Sequence, residues 1–214
     1  MTGYRGYHLF VIVLCVLAPQ LLGAQTAWRP IELRTGGQPI TTLSAIEVPA
    51  TAHYKARDFS AHVIFLGYQK DGGLGYPQLS VIIDGLENAV SASELSLFQG
   101  PDLSKIVLER NTMEVSIVRN RATWSIKTRS VFTGIPFFPS QIMGHETQMF
   151  ETNIGSTKSE VYAWRKFVAE MSSGFDEAHI TIGGQVLSEK ITVAFSGKGI
   201  EPLLKQMMTF TGLK

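Results

Sequence analysis

Between Met113 and Lys127 the chain alternates. Met113, Val115 and Ile117 are separated by Glu114, Ser116 and Val118, Arg119-Asn120-Arg121 interrupts, and Trp124 and Ile126 then alternate with Thr123, Ser125 and Lys127. A period of two is the signature of a strand with one face in a core and one in water. The stretch therefore predicts a hairpin turning at Arg119-Asn120-Arg121, with Trp124 and Ile126 on the buried side. Strands joined this tightly leave no room for a crossover helix, so they must run antiparallel.

The preceding sequence repeats the pattern in short pieces. Ile31 to Arg34 and Ile40 to Val48 are strand candidates in a Pro- and Gly-punctuated arm from 25 to 52. Phe59 to Leu66 reads as a central strand because both faces become apolar, and Leu79 to Asp84 as the next. Leu95 to Phe98 and Ile106 to Leu108 are shorter candidates, and Val131 to Phe150 reads as an irregular loop rich in Pro and aromatics.

The last sixty residues are different. Thr157-Lys158-Ser159-Glu160 is a capping box, and Val161, Trp164, Val168 and Met171, with Phe167 beside them, follow at helical spacing up to Ser172-Ser173-Gly174. Ala178 to Ile182 and Lys190 to Ser196 are strands joined through Gly183-Gly184. Glu201-Pro202 then opens a second helix, to Phe210, whose apolar face is Ile200, Leu203, Leu204, Met207 and Met208.

The N-terminus has the layout of a secretory signal peptide. Arg5 supplies charge, Leu9 to Ala18 is an unbroken apolar run, and Leu22-Gly23-Ala24 offers a cut before Gln25. The rival reading, an uncleaved anchor, meets a run about half the ~20 residues that a spanning helix requires. Removing residues 1–24 takes one of nineteen basic residues and none of eighteen acidic ones, which leaves a neutral chain. Bulk charge thus gives no case for nucleic acid or for a general membrane surface. The one cysteine, Cys15, lies in the signal. An exported product without disulfides must rely on a hydrophobic core, which a chain of this size can build as one domain over 53–214.

Motifs for catalysis are missing. Gly72-Gly73-Leu74-Gly75 is followed by Tyr76-Pro77 and a strand, so it lacks the helix N-terminus of a phosphate cradle and reads as a hairpin loop. His53, His62, His145 and His179 show no metal-ligand spacing, and no cofactor fingerprint appears. Asp84, Glu87, Glu94 and Glu109 are carboxylates that a glycoside hydrolase could pair, with nothing to fix their separation.

Two surfaces stand out as binding candidates. Lys105, Arg110, Arg119, Arg121, Lys127 and Arg129 cluster around one hairpin, against Glu109 and Glu114. Arg119 and Arg121 flank its tip, and Lys127 and Arg129 project opposite Trp124. Guanidinium groups so placed suit carboxylates, phosphates or sulfated sugars, and the competing reading is a solvated face. The reading taken here is that these charges are spare, so that losing Arg119 and Arg121 leaves the fold intact. The second surface is Phe137-Phe138 within Ile135-Pro136-Phe137-Phe138-Pro139, either a docking patch or a flap over the sheet.

The run Val168-Ala169-Glu170-Met171 to Gly174, then Ile180 to Ile182, then Ile191-Thr192-Val193-Ala194-Phe195-Ser196-Gly197-Lys198-Gly199-Ile200-Glu201-Pro202-Leu203-Leu204 carries a resemblance. It resembles the C-terminal part of the invasion-associated locus B family and of a type VI secretion accessory family. The resemblance covers about the last fifty residues and implies a small, exported, β-rich protein of the bacterial envelope, and it transfers no site.

The expectation is a mainly β domain, sandwich-like and antiparallel, with helices near 157–172 and 201–210 packed on it. In function it reads as a periplasmic or secreted, non-catalytic binding or accessory protein whose partner is a protein or an anionic envelope component. Its alternatives are an envelope polysaccharide hydrolase and a carrier of lipid or another small ligand.

Overall fold

The computed structural model describes residues 28–32, 34–35, 38–39, 41–69, 76–86, 89, 111–134, 147–153, 157–184 and 188–213. Among the described residues the chain is mainly antiparallel β with two helices, as the strand spacing predicts. In chain order the elements are β1 (Arg29–Ile31), β2 (Arg34–Thr35), β3 (Gln38–Pro39), β4 (Leu43–Tyr54), β5 (Arg57–Tyr68), β6 (Gln78–Asp84), β7 (Asn111–Arg119), β8 (Ala122–Gly134), β9 (Thr147–Asn153), α1 (Lys158–Met171), β10 (Glu177–Gly184), β11 (Ile191–Ser196) and α2 (Ile200–Thr211).

One sheet runs β1-β4-β11-β10-β7-β8-β9-β6-β5, and β5 pairs in turn with β4. Eight strands therefore form a ring. The device that closes it is the length of β4. At twelve residues it pairs with β5 along one edge, and divides its other edge between β1, at Ala45–Glu47, and β11, at Thr51–His53. Pro49 falls between those two stretches, where a missing amide proton costs least.

The inner faces share one core, the sandwich-like packing that the alternation implies. Val48, Val63, Val81, Val115, Ile117, Ile180 and Val193 all lie in it, each essentially unexposed. Two hairpins that build the ring turn through two residues with positive φ, Lys55-Ala56 (49° and 57°) and Asn120-Arg121 (51° and 66°). Such turns carry the right-handed twist of the flanking strands.

The strand expected over Ile40 to Val48 is present from Leu43 and runs on to Tyr54 as β4, at the closure of the ring. One expectation needs correcting. The supposed irregular loop from Val131 to Phe150 contains the end of β8 and most of β9, paired from Arg129↔Asn153 to Gly134↔Gln148. Gly72-Gly73-Leu74-Gly75, Leu95 to Phe98 and Ile106 to Leu108 lie outside the described residues.

Both helices sit at one end of the ring, where β5, β7 and β11 finish and β6, β8 and β10 begin; α1 packs on β8, and α2 on β1, β4 and β5. The capping box of α1 forms as read. The Glu160 amide donates to Thr157 Oγ1 at 3.3 Å and the Thr157 amide to Glu160 Oε2 at 3.2 Å. Trp164, Phe167, Val168 and Met171 are buried, and Trp164 Nε1 donates to the Pro77 carbonyl at 2.8 Å. In α2 the buried residues are Ile200, Leu204, Met207 and Thr211. Trp28 bolts the N-terminal segment across this end. Its Nε1 donates to the Ser196 carbonyl at 2.8 Å, and its ring lies 5.6 Å from Phe65 and 5.8 Å from Phe195.

Candidate anion-binding face

The β7–β8 hairpin divides its arginines. Met113, Val115, Ile117 and Arg119 share the inner row of β7, so Arg119 leaves the core row at its last position, beside α1. Its guanidinium donates to Glu170 Oε2 at 3.0 Å, to the Glu170 carbonyl at 3.3 Å and to the Gly174 carbonyl at 3.4 Å. It also lies 4.8 Å over the Trp124 ring. The structure thus contradicts the expectation that this charge is spare, because Arg119 pairs with the Glu170 carboxylate and adds a donor to the Glu170 carbonyl in the last turn of α1 and to the Gly174 carbonyl just beyond it. Beside it, the Asn120 amide donates to Asp176 Oδ2 at 3.1 Å, so the tip is tied to the segment after α1.

Arg121 and Lys127 are exposed, as the alternation requires. Lys127 stands opposite Glu114 across the ladder. Arg129 belongs to β8 opposite Thr112, and its side chain is outside the description. Phe137 and Phe138 lie in the connection between β8 and β9, outside the described residues.

The face that the sequence reading missed is the outer side of α1. Lys158, Tyr162, Arg165, Lys166 and Ala169 are exposed, and their spacing of four, three, one and three places them on one stripe opposite Trp164, Phe167 and Met171. The periodicity that finds the buried residues finds this stripe as its complement. The two acids of the helix are engaged elsewhere, Glu160 in the capping box and Glu170 with Arg119. Lys158, Arg165 and Lys166 have no ion-pair partner among the described residues. Tyr162, 69% exposed, is the sole large hydrophobic side chain so exposed among the described residues.

A second polar group lies on the outer face of β4, β5 and β6. Arg29 from β1 pairs with Glu47 Oε1, its Nε at 2.7 Å, and Glu47 is almost fully buried. His62 stands between two carboxylates, its Nδ1 3.9 Å from Glu47 Oε2 and its Nε2 4.0 Å from Asp84 Oδ2. These separations exceed hydrogen-bond length. His62 Nδ1, Ser80 Oγ and Asp84 Oδ1 are buried without a hydrogen-bond partner among the described residues. Of the carboxylates considered for glycoside chemistry, Asp84 is the one within the described residues. His53 pairs with Asp58 and His179 with Glu177, both in exposed positions, and His145 is outside the description. Among the described residues no set of three His, Cys, Asp or Glu side chains is arranged to hold a metal. Burial raises the pKa of Tyr76, because its ring sits where a phenolate would be poorly solvated.

No protein-family model, no curated protein and no solved structure matches the chain. Among the described residues no helix is long and apolar enough to cross a membrane.

Proposed function

We propose that this chain is an exported, non-catalytic binding or accessory protein of the bacterial envelope, and that it engages an anionic partner through the outer stripe of α1 and the neighbouring Arg121 tip. The observation that carries the reading is the charge segregation on α1. Three cations surround Tyr162 with no partner among the described residues, while both acids of the helix are held away from them. The signal-like N-terminus and the C-terminal resemblance to exported families support the compartment. The apolar side chains that meet in the ring, Tyr54, Phe65, Ile83, Met113 and Ile180 among them, favour a binding surface outside it over a carrier's cavity within.

Retention on an immobilised sulfated polysaccharide tests the reading. Wild type is expected to be held at low salt and released as salt rises, since exposed charges are screened over about 8 Å at physiological ionic strength. A variant combining Lys158→Glu, Arg165→Glu, Lys166→Glu and Arg121→Ala is expected to flow through with an unchanged melting temperature. Equal retention of both proteins rules this face out.

A further inference from the structure

The basic stripe of α1 has a shape as well as a charge, and the shape narrows the partner. Discrete anions are bound in concave sites where donors converge. Here the cations diverge. Lys158 lies one turn before Tyr162, Arg165 and Lys166 lie one turn after it, and all four project from the solvent side of a helix whose opposite side is locked into the core by Trp164, Phe167 and Met171. Lys158 and Lys166 are eight residues apart, about 12 Å along the axis. The outline is a convex triangle of charge with an aromatic ring at its centre. A linear polymer would touch one edge of such a triangle, whereas a planar array of anions reaches all three corners at once. Tyr162 supplies the rest of the argument. Its apolar ring and polar hydroxyl fit the headgroup level of a bilayer, where tyrosine is enriched, and flanking Lys and Arg stems can lie along the interface with their charges toward phosphate.

We infer that the outer stripe of α1 is a docking surface for an anionic phospholipid membrane, with Tyr162 at the headgroup level and Lys158, Arg165 and Lys166 against the phosphates. This rests on the proposed function and names its partner. Because the apolar face of α1 is already spent on the core, the helix associates with the surface without inserting. Binding is therefore electrostatic, reversible and dependent on lipid charge.

The test is co-sedimentation of the full chain with vesicles of pure phosphatidylcholine or of phosphatidylcholine with phosphatidylglycerol. Binding is expected only with phosphatidylglycerol present, and is expected to be lost at high salt. An apolar N-terminal segment, if retained, would bind both vesicle types regardless of salt, so lipid charge and salt separate the two modes. Each of Lys158→Gln, Arg165→Gln and Lys166→Gln should weaken binding roughly fivefold, the value of one charge near an anionic surface. Tyr162→Ser should weaken it further at constant net charge. Lys190→Gln, exposed just before β11 begins and so at the end of the ring away from the helices, should have no effect. Equal binding to both vesicle types, or equal loss with Lys190→Gln, overturns the inference. A chain retained on the sulfated polysaccharide that stays in the supernatant with phosphatidylglycerol vesicles keeps the function and loses the membrane. A chain that binds neither loses both.

Discussion

Arg119 and Arg121 are two residues apart, carry the same charge and do different work. Arg119 is held by three acceptors and a ring, and its side chain is 23% exposed. Arg119→Ala removes a charge-assisted pair and a cation–π contact and leaves the Glu170 and Gly174 carbonyls without that donor. The cost is expected to be about 1–2 kcal/mol, or roughly 2–8 °C in melting temperature for a domain of this size. Arg121→Ala should leave the melting temperature where it is. Thermal denaturation of the two single variants checks this, and identical curves would contradict the contacts described. This distinction was within reach of the sequence. Arg119 continues the row of Met113, Val115 and Ile117, so alternation alone assigns it to the inner face. Reading it with Arg121 as one basic tip set charge above parity. The α1 stripe was equally legible once its residues were counted around the helix. The His62 group was not, because Glu47, His62 and Asp84 are brought together by a strand pairing that no local pattern specifies.

At the scale of elements, the helices and the β7–β8 hairpin were readable because each carries its own signal: a capping box, a 3.6-residue stripe, a two-residue alternation. The β4–β5 hairpin was hidden, since its turn is Lys55-Ala56 and not a pair that favours positive φ. β9 was hidden by its neighbourhood of Pro and aromatics. The contact of α2 with β5 was also invisible, although one residue records it. A Cβ on Gly67 would stand 2.8 Å from Met207 Cγ and 2.9 Å from Thr211 Cγ2, so the helix needs a strand position with no side chain at all. Gly197 is more confined, for a Cβ there would lie 2.0 Å from the Phe175 carbonyl oxygen, a backbone atom that cannot swing away. Gly67→Ala is therefore expected to cost about 1–3 kcal/mol, the usual price of overpacking with some relief from the flexible methionine. Gly197→Ala should prevent accumulation of folded protein. Urea denaturation of the first and soluble yield of the second are the measurements. A Gly197→Ala variant as stable as wild type would show that β11 and the Phe175 turn do not approach as described.

For the molecule as a whole, the ring is closed by contacts that are remote in sequence. β4 meets β11 through Thr51↔Ala194 and Thr192↔His53, and Trp28 reaches Ser196 across 168 positions. Chains dominated by such pairings fold in milliseconds to seconds, because loop closure must precede the contacts that reward it. Refolding followed by tryptophan fluorescence should fall in that range. Trp28→Ala should mainly raise the unfolding rate and barely slow folding, since its partners come together last. A variant that slows folding and leaves unfolding untouched would place Trp28 in the nucleus instead.

The position of β11 has a further consequence for a polypeptide made from its N-terminus onward. β4, β5 and β6 can zip together early, but the edge of β4 from Thr51 to His53 waits for a strand more than a hundred residues downstream. Through that interval the nascent chain carries an unsatisfied strand edge beside the uncovered apolar row of Ile46, Val48, Ala52 and Tyr54, the combination that recruits other chains. Any product that stops short of Ile191 remains in that condition permanently. A copy truncated before Ile191 thus keeps an edge that it cannot cover, the kind of surface on which chaperones and proteases act.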